Sequence, residues 1–335
     1  LYSSAASDVY KRQEQESFDV IVSDMKMPLM DGAAFLGEVM KKYPRIIRII
    51  LSGYSEQETI SRVVNIAHQY LAKPCNPEHL ISAIRRAGHV RTLLANPELR
   101  DLTASLQTVP SIPSIYRELI EEINSENASL REIGRIVSQD TGMTAKILQV
   151  VNSAFFGLRN QVVDPGMAVN LLGINTIIAL VLSLHVFSQF TQALPEGLSI
   201  ERLMDHGLGT AALAKQFSRY YSTDANMAET AFFAGLLHDI GRILLAGNRP
   251  EEFLRMMEMK RKQGMNELEA ERKVWGSTHS EVGAYLLGIW GLPDEIVEAT
   301  AFHHTPGNSK VKTFTPLTAV YLLSLIHISE PTRLR

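Results

Sequence analysis

The hydrophobic periodicity of this chain changes once, and that change bounds what it can fold into. Three short β-rich runs, "FDVIVS" (18–23), "RIIRIIL" (45–51) and "QYLA" (69–72), alternate with the helical patterns "AAFLGEVMKKY" and "EQETISRVVNIA". Beyond about residue 89 only helical spacing remains. It runs through "SLREIGRIVSQD", "MTAKILQVVNSAFF", "IERLMDHGLGTAALAKQFSRYY", "AETAFFAGLLHDIG" and "EVGAYLLGIWG", separated by Gly, Pro or Asn breaks. Alternating strands and helices imply parallel βαβ units, whose working groups sit at the carboxyl ends of the strands. The expectation is a multi-domain chain, a partial α/β layer followed by an all-α domain.

Composition narrows the function classes. At 335 residues, 45% hydrophobic and 21% charged, the chain is long enough for two globular domains. A net charge of −3 supplies no general attraction to nucleic acid or to anionic membranes, so neither is expected as a partner. One cysteine, Cys75, excludes an internal disulfide framework and fits a reducing compartment. The longest apolar run, "TIIALVLSLHVF" (176–187), is too short to span a bilayer and reads as a buried helix. A cytoplasmic location is expected. The ends, "LYSSAASDVYKRQ" and "SLIHISEPTRLR", continue no neighbouring pattern and resemble adapter read-through. Residues 1–13 and 324–335 are therefore expected to be non-native tails on a chain cut at both ends.

The three strand ends carry Asp24, Ser52 and Lys73. An Asp after a strand is ordinarily a turn or cap residue. A carboxylate, a hydroxyl and an ammonium on three successive strand ends, by contrast, all suit a phosphoryl group. The stretches "VIVSDMKMPLMDG", "LSGYSE" and "YLAKP" resemble the receiver domain of response regulators. The resemblance implies a flavodoxin-like fold over 14–88, with a sensor histidine kinase as partner. It makes Asp24 the phospho-acceptor, attacking a phosphohistidine to give an aspartyl phosphate. Ser52 and Lys73 would bind the phosphoryl oxygens. Tyr70 matches the switching aromatic, and Pro74 the proline whose peptide bond is often cis. Such receivers need Mg²⁺ held by an acidic pair on their first strand. Asp8, Glu14 and Glu16 lie too close to Asp24 to come from that strand, so the segment reads as truncated and phosphorylation is expected of the intact parent.

"PEHLISAIRRAGHVRTLLANPELRDLTASL" (77–106) looks like a last receiver helix running into a connector, with 89–99 as linker. In "LREIGRIVSQDTGMTAKILQVVN" (130–152) two helices have a helix–turn–helix look. The second offers only Lys146 among Ile, Leu and Val, whereas a recognition helix needs polar and basic groups for bases and phosphates. The pair is expected to be core.

"VPSIPSIYREL", "IVSQDTGMTAKILQVVNSAFFG" and "AVNLLGINTI" resemble the HDOD family, an all-α output domain related to HD phosphohydrolases. The likeness covers 100–323 and continues through "DHGLGTAALA", "GLLHDIGRILL", "THSEVGAYLLGIWGLPDEI" and "AFHHTP". Carried over, the metal-ligand candidates are His206, His238, Asp239, His279, His303 and His304. Imidazole and carboxylate suit Mn²⁺, Fe²⁺ or Zn²⁺, and an Asp beside a His can bridge two ions. The related hydrolases add an Asp on a late helix, expected near "TAVYLLSL" and absent there. Cyclic-di-GMP hydrolases carry "GYP" after the paired histidines. This chain has "HHTPGNS", so that activity is not expected. His68, His79, His89 and His185 read as ordinary surface or core histidines, and His327 belongs to the tail.

The reading is a phosphorelay response regulator whose HDOD domain engages an unidentified protein partner, with a homodimer as one arrangement. The alternative is a phosphorylation-controlled, metal-dependent HD-type phosphohydrolase. No catalytic residue is assigned.

Overall fold

The computed structural model describes residues 18–328, apart from 44–45, 54–65, 74, 76, 78–79, 82, 86–95, 107–108, 111, 124, 126, 154, 191–193 and 196. The described chain forms two compact units. The first holds residues up to Ile112 together with Tyr285–Leu292, and the second holds Pro113–Ala284 with the residues from Pro293 on.

In the first unit β1 (Val20–Asp24), β2 (Ile47–Gly53) and β3 (Gln69–Lys73) make a parallel sheet in that order. The register pairs Asp24 with Leu51, Ser52 with Ala72 and Gly53 with Lys73, so the three expected strand-end residues share one end of the sheet. Helix α1 (Gly32–Lys42) lies between β1 and β2 in sequence. Asp31 caps it, its side chain accepting the Ala34 N–H at 2.7 Å. Leu36 and Val39 of α1 are fully buried with Met25 and Ile50 of the sheet layer. Gly32 has no substitute: a Cβ there would fall 2.1 Å from the Asp24 carbonyl oxygen. Between β1 and α1, Leu29 has φ 71°, the left-handed region that is costly for a side chain of its kind. The helix expected over 56–67 lies almost wholly outside the described residues. Of the expected connector, α2 (Pro97–Ala104) is described, capped by Asn96.

The regular elements described in the second unit are all helices. Its first part comprises α3 (Ser114–Ile123), α4 (Leu130–Ser138), α5 (Thr141–Val151), α6 (Pro165–Leu172) and α7 (Ile174–Phe190). Then come α8 (Ile200–Tyr221), α9 (Ala225–Leu237), α10 (Ile240–Asn248), α11 (Pro250–Gln263) and α12 (Glu267–Trp275). Helices α13 (His279–Ile289), α14 (Asp294–Phe302) and α15 (Pro316–Ile328) follow, with a 3-10 turn at Pro306–Asn308. The division between the units runs through α13. Ser129, Asp140, Asp164, Ser199, Asp224 and Asn266 each cap a helix by accepting a backbone N–H from its first turn.

Helix α7 is buried on nearly every side, as its unbroken apolar sequence implies. The run Ala225–Asn248 is long and apolar enough to cross a membrane by length and composition, and 78% of it is buried inside the protein. It contains α9 and α10, the heart of the second unit. The helix–turn–helix look corresponds to α4 and α5, and the expectation that both are core needs correcting. Ile133, Ile136 and Val137 of α4 are buried, and Gly134 packs so close to α6 that a Cβ would meet the Gly166 Cα at 2.7 Å. In α5 only Ile147 and Val151 are buried.

Candidate functional site

At the carboxyl end of the small sheet, Lys73 Nζ stands 2.6 Å from Asp24 Oδ1, with both side chains 43% exposed. Ser52, one residue past the β2 partner of Asp24, is 7% exposed. Asp24, Ser52 and Lys73 are thus brought together as expected. The backbone of Tyr70 belongs to β3, while its side chain and Pro74 lie outside the described residues. The pair is an accessible carboxylate held by an ammonium, a charge-assisted contact at the sheet's carboxyl end.

The second site forms where five helices meet. α9 ends on His238 and α10 begins after Asp239, so the "HD" pair is the junction of two buried helices. α13 starts at His279 because "THSE" is a capping box. Glu281 Oε2 accepts the Thr278 N–H at 2.8 Å, while the Glu281 N–H donates to Thr278 Oγ1 at 3.3 Å. His303 follows the end of α14, with His304 next to it. α8 contributes His206 from a face where Met204, Gly207 and Leu208 are buried.

Asp239 is the centre of this arrangement, its two oxygens facing different partners. Oδ1 lies 3.2 Å from His279 Nε2 and 3.5 Å from His303 Nε2. Oδ2 lies 3.6 Å from both His206 Nε2 and His238 Nε2. The ring nitrogens also face each other: His206 and His238 at 3.2 Å, His279 and His303 at 3.4 Å, His304 and His279 at 3.2 Å. Two donor groups result, Asp239–His279–His303–His304 and His206–His238–Asp239, sharing the carboxylate. All six expected ligand candidates are therefore in one place.

Hydrogen bonds on the far sides of the rings decide what they present. His238 Nδ1 is 2.7 Å from the Gly235 carbonyl and His303 Nδ1 is 2.8 Å from the Thr300 carbonyl. A carbonyl only accepts, so each Nδ1 carries the proton. Burial pushes His238 down to about 3 and also lowers His303, leaving both rings neutral with their Nε2 lone pairs turned inward. His304 is pushed down to about 2, by burial and then by His303 and His279. For His279 burial also acts downward, but the Glu271 carboxylate outweighs it and holds the ring up at about 9. Asp239 is kept well below the carboxylate range: burial opposes ionisation, and Arg242, with Nε 2.9 Å from Oδ2, overcomes it together with His238.

The Nε2 lone pairs of His238 and His303 face the Asp239 carboxylate from two sides, an arrangement that a cation would complement. Asp239 Oδ1 is buried and receives no well-aligned hydrogen bond. Five imidazoles and one carboxylate, with the outer nitrogens of His238, His303 and His279 held by two carbonyls and a carboxylate, fit a divalent transition metal.

Four residues here were not among the sequence candidates: Glu271, Arg242, Glu267 and Lys260. Glu271, 1% exposed, accepts from His279 Nδ1 at 2.8 and 2.9 Å and from the His279 N–H at 3.0 Å. Arg242 pairs with both Asp239 and Glu267, and Lys260 adds a bond to Glu267 at 2.8 Å. No local pattern marks them, because the burial of Glu271 beside Ala270 on α12 is a property of the packing. The expected late Asp is likewise missing from α15, whose sequence is "PLTAVYLLSLIHI".

The HDOD domain family model matches residues 109–306. The chain belongs to the HDOD family. The response regulator receiver domain matches residues 3–85, so a receiver precedes the HDOD domain. Among solved structures, an HDOD domain protein with unknown function from Geobacter sulfurreducens has a TM-score of 0.60 at 22% identity, covering 71% of this chain and 78% of that one. At that identity the likeness shows the fold. The hydrogenase transcriptional regulatory protein HoxA of Cupriavidus necator is 36% identical over 110 residues, 32% of this chain and 23% of that protein. An uncharacterized protein of Treponema pallidum is 24% identical over 199 residues, 59% of this chain and 38% of that one. The chain thus spans well under half the length of these two curated relatives. Receiver plus HDOD domain fits a response regulator with an output domain.

Proposed function

We propose that this HDOD protein acts in a phosphorelay, with phosphorylation of Asp24 controlling how its helical domain engages a protein partner. The observation that carries this reading is the 2.6 Å Lys73–Asp24 pair at the strand ends beside Ser52, in a chain with an output domain of another fold. A histidine kinase would donate the phosphoryl group and Mg²⁺ would accompany it. Ser52 would follow the phosphoryl oxygen, and Tyr70 would report that movement outward. The test treats the full-length protein with acetyl phosphate and Mg²⁺ and follows hydrogen exchange in residues 113–328. Altered protection in wild type but not in Asp24→Asn supports the reading. Unchanged protection in a fully phosphorylated sample overturns it.

The converging imidazoles favour a second reading, a metal-dependent phosphohydrolase. His206, His238, Asp239, His279, His303 and His304 would hold Mn²⁺, Fe²⁺ or Zn²⁺, which when bound would polarise a phosphoryl oxygen and acidify water. The stretch after the paired histidines is "HHTPGNS" rather than "GYP", and the partner-binding reading stands first. Turnover of a generic phosphodiester with Mn²⁺, lost in both His238→Ala and Asp239→Ala, would reverse that order.

A further inference from the structure

We propose that Glu271 is a positioning residue that makes the two halves of the cluster unequal, so that Asp239, His279, His303 and His304 take up a first metal ion before His206, His238 and Asp239 take a second. The inference rests on the metal reading of the cluster and goes beyond it, by assigning an order of filling and a residue that sets it.

The two halves share Asp239 and differ in almost everything else. On the Oδ1 side four donor residues converge, and His279 and His303 are wholly buried. Both rings are held from behind, His303 by the Thr300 carbonyl and His279 by Glu271. On the Oδ2 side there are three donor residues, His206 is 28% exposed, and Arg242 Nε already lies 2.9 Å from the oxygen. An ion there has one protein donor fewer and must share its carboxylate oxygen with a guanidinium.

Glu271 holds His279 at two points. Both carboxylate oxygens face Nδ1, and one of them also accepts the backbone N–H. This fixes the position and the rotation of the ring, and it puts the proton on Nδ1, leaving Nε2 to point at Asp239 Oδ1. A carboxylate behind a ligating imidazole also raises the basicity of the nitrogen that binds. Glu267, Glu271 and His279 form a third donor group, but Arg242 and Lys260 already neutralise Glu267. Glu271 therefore serves His279 from behind rather than a further ion.

The experiment titrates metal-stripped full-length protein with Co²⁺ and Zn²⁺ against a competing chelator, reading affinity and the Co²⁺ absorption bands. Wild type should show two phases at least tenfold apart. Glu271→Gln keeps the side-chain shape and an oxygen for the backbone N–H. It should weaken the first phase by about 10–100-fold, the usual range for removing such a partner, and shift its Co²⁺ bands. His206→Ala, at a half-exposed position, should remove the second phase and leave the first. A first phase within twofold of wild type in Glu271→Gln, or loss of the tight phase in His206→Ala, overturns the proposal. Should Glu271→Gln lose its helical circular dichroism, the His206→Ala result alone decides the order of filling. No metal uptake by wild type would instead overturn the metal reading on which the proposal rests.

Discussion

Gly241 and the backbone carbonyl of His279 are so close that a Cβ on Gly241 would lie 1.9 Å from that oxygen. The last letter of "HDIG" is thus a packing requirement: α13 seats against α10 there, and the seat delivers His279 to Asp239. Gly283 faces Gly241 from the other side, where a Cβ would meet the Gly241 nitrogen at 3.1 Å. Both obstacles are backbone and cannot swing away.

Gly241→Ala should therefore cost about 1–3 kcal/mol or more of stability, the usual range for overpacking a tight interior. It should also displace His279 from Asp239. Chemical denaturation and metal content are expected to fall together. A variant of wild-type stability with full metal content would show that α13 can shift freely.

Removing the metal should destabilise the second unit. A ligand that binds only the folded state adds about 2.7 kcal/mol at a free concentration one hundred times its Kd. Dialysis against a chelator is expected to lower the melting temperature, and stoichiometric Zn²⁺ to restore it. Asp239→Ala should be insensitive to both treatments.

Phosphorylation is expected to need both members of the strand-end pair. In a receiver whose Mg²⁺-binding acids are in place, acetyl phosphate should add one phosphoryl mass, lost in Asp24→Asn. Lys73→Ala should slow the reaction by about 10²-fold or more, the scale seen when a preorganised electrostatic contact to a developing charge is removed. Intact-mass spectrometry over time reads both.

The first unit should weaken in acid through His68. Burial, and then Arg48, whose Nη2 lies 2.9 Å from His68 Nε2, hold this histidine well below its ordinary value of 6.5. Below pH 6.5 the unfolded chain binds a proton that the folded one refuses, so this stability is present at neutral pH and falls as the pH drops through 6.5. Urea midpoints at pH 7.5 and 5.5 should diverge more in wild type than in His68→Gln. Equal pH slopes in the two proteins would remove His68 as the cause.

The helical unit is expected to fold alone. A chain from Asn96 to Ile328 should melt in one cooperative helical transition, since α7, α9 and α10 bury their apolar surfaces within it. Separate transitions by circular dichroism and tryptophan fluorescence would divide it further.

The class of each segment was legible from residue order alone, because periodicities of two and 3.6 are local properties of the backbone. So was the chemistry at the strand ends. Asp24, Ser52 and Lys73 follow three β runs, and "EVGAYLLGIWG" carries the helical spacing of α13. The six metal-ligand candidates were legible as residue types in a family order. How they pair emerges from the packing: Asp239 divides its oxygens between two groups because α8, α13 and the end of α14 approach it from different sides. Glu271, Glu267 and Arg242 could not be singled out beforehand. Glu271 is one of 36 acidic residues, and the buried contacts that define its role join elements whose packing no local pattern records. The limited burial of α5 went unforeseen for the same reason. Its apolar composition is a property of the sequence, whereas its burial is a property of the packing, and so is the close approach of α4 to α6 that Gly134 permits.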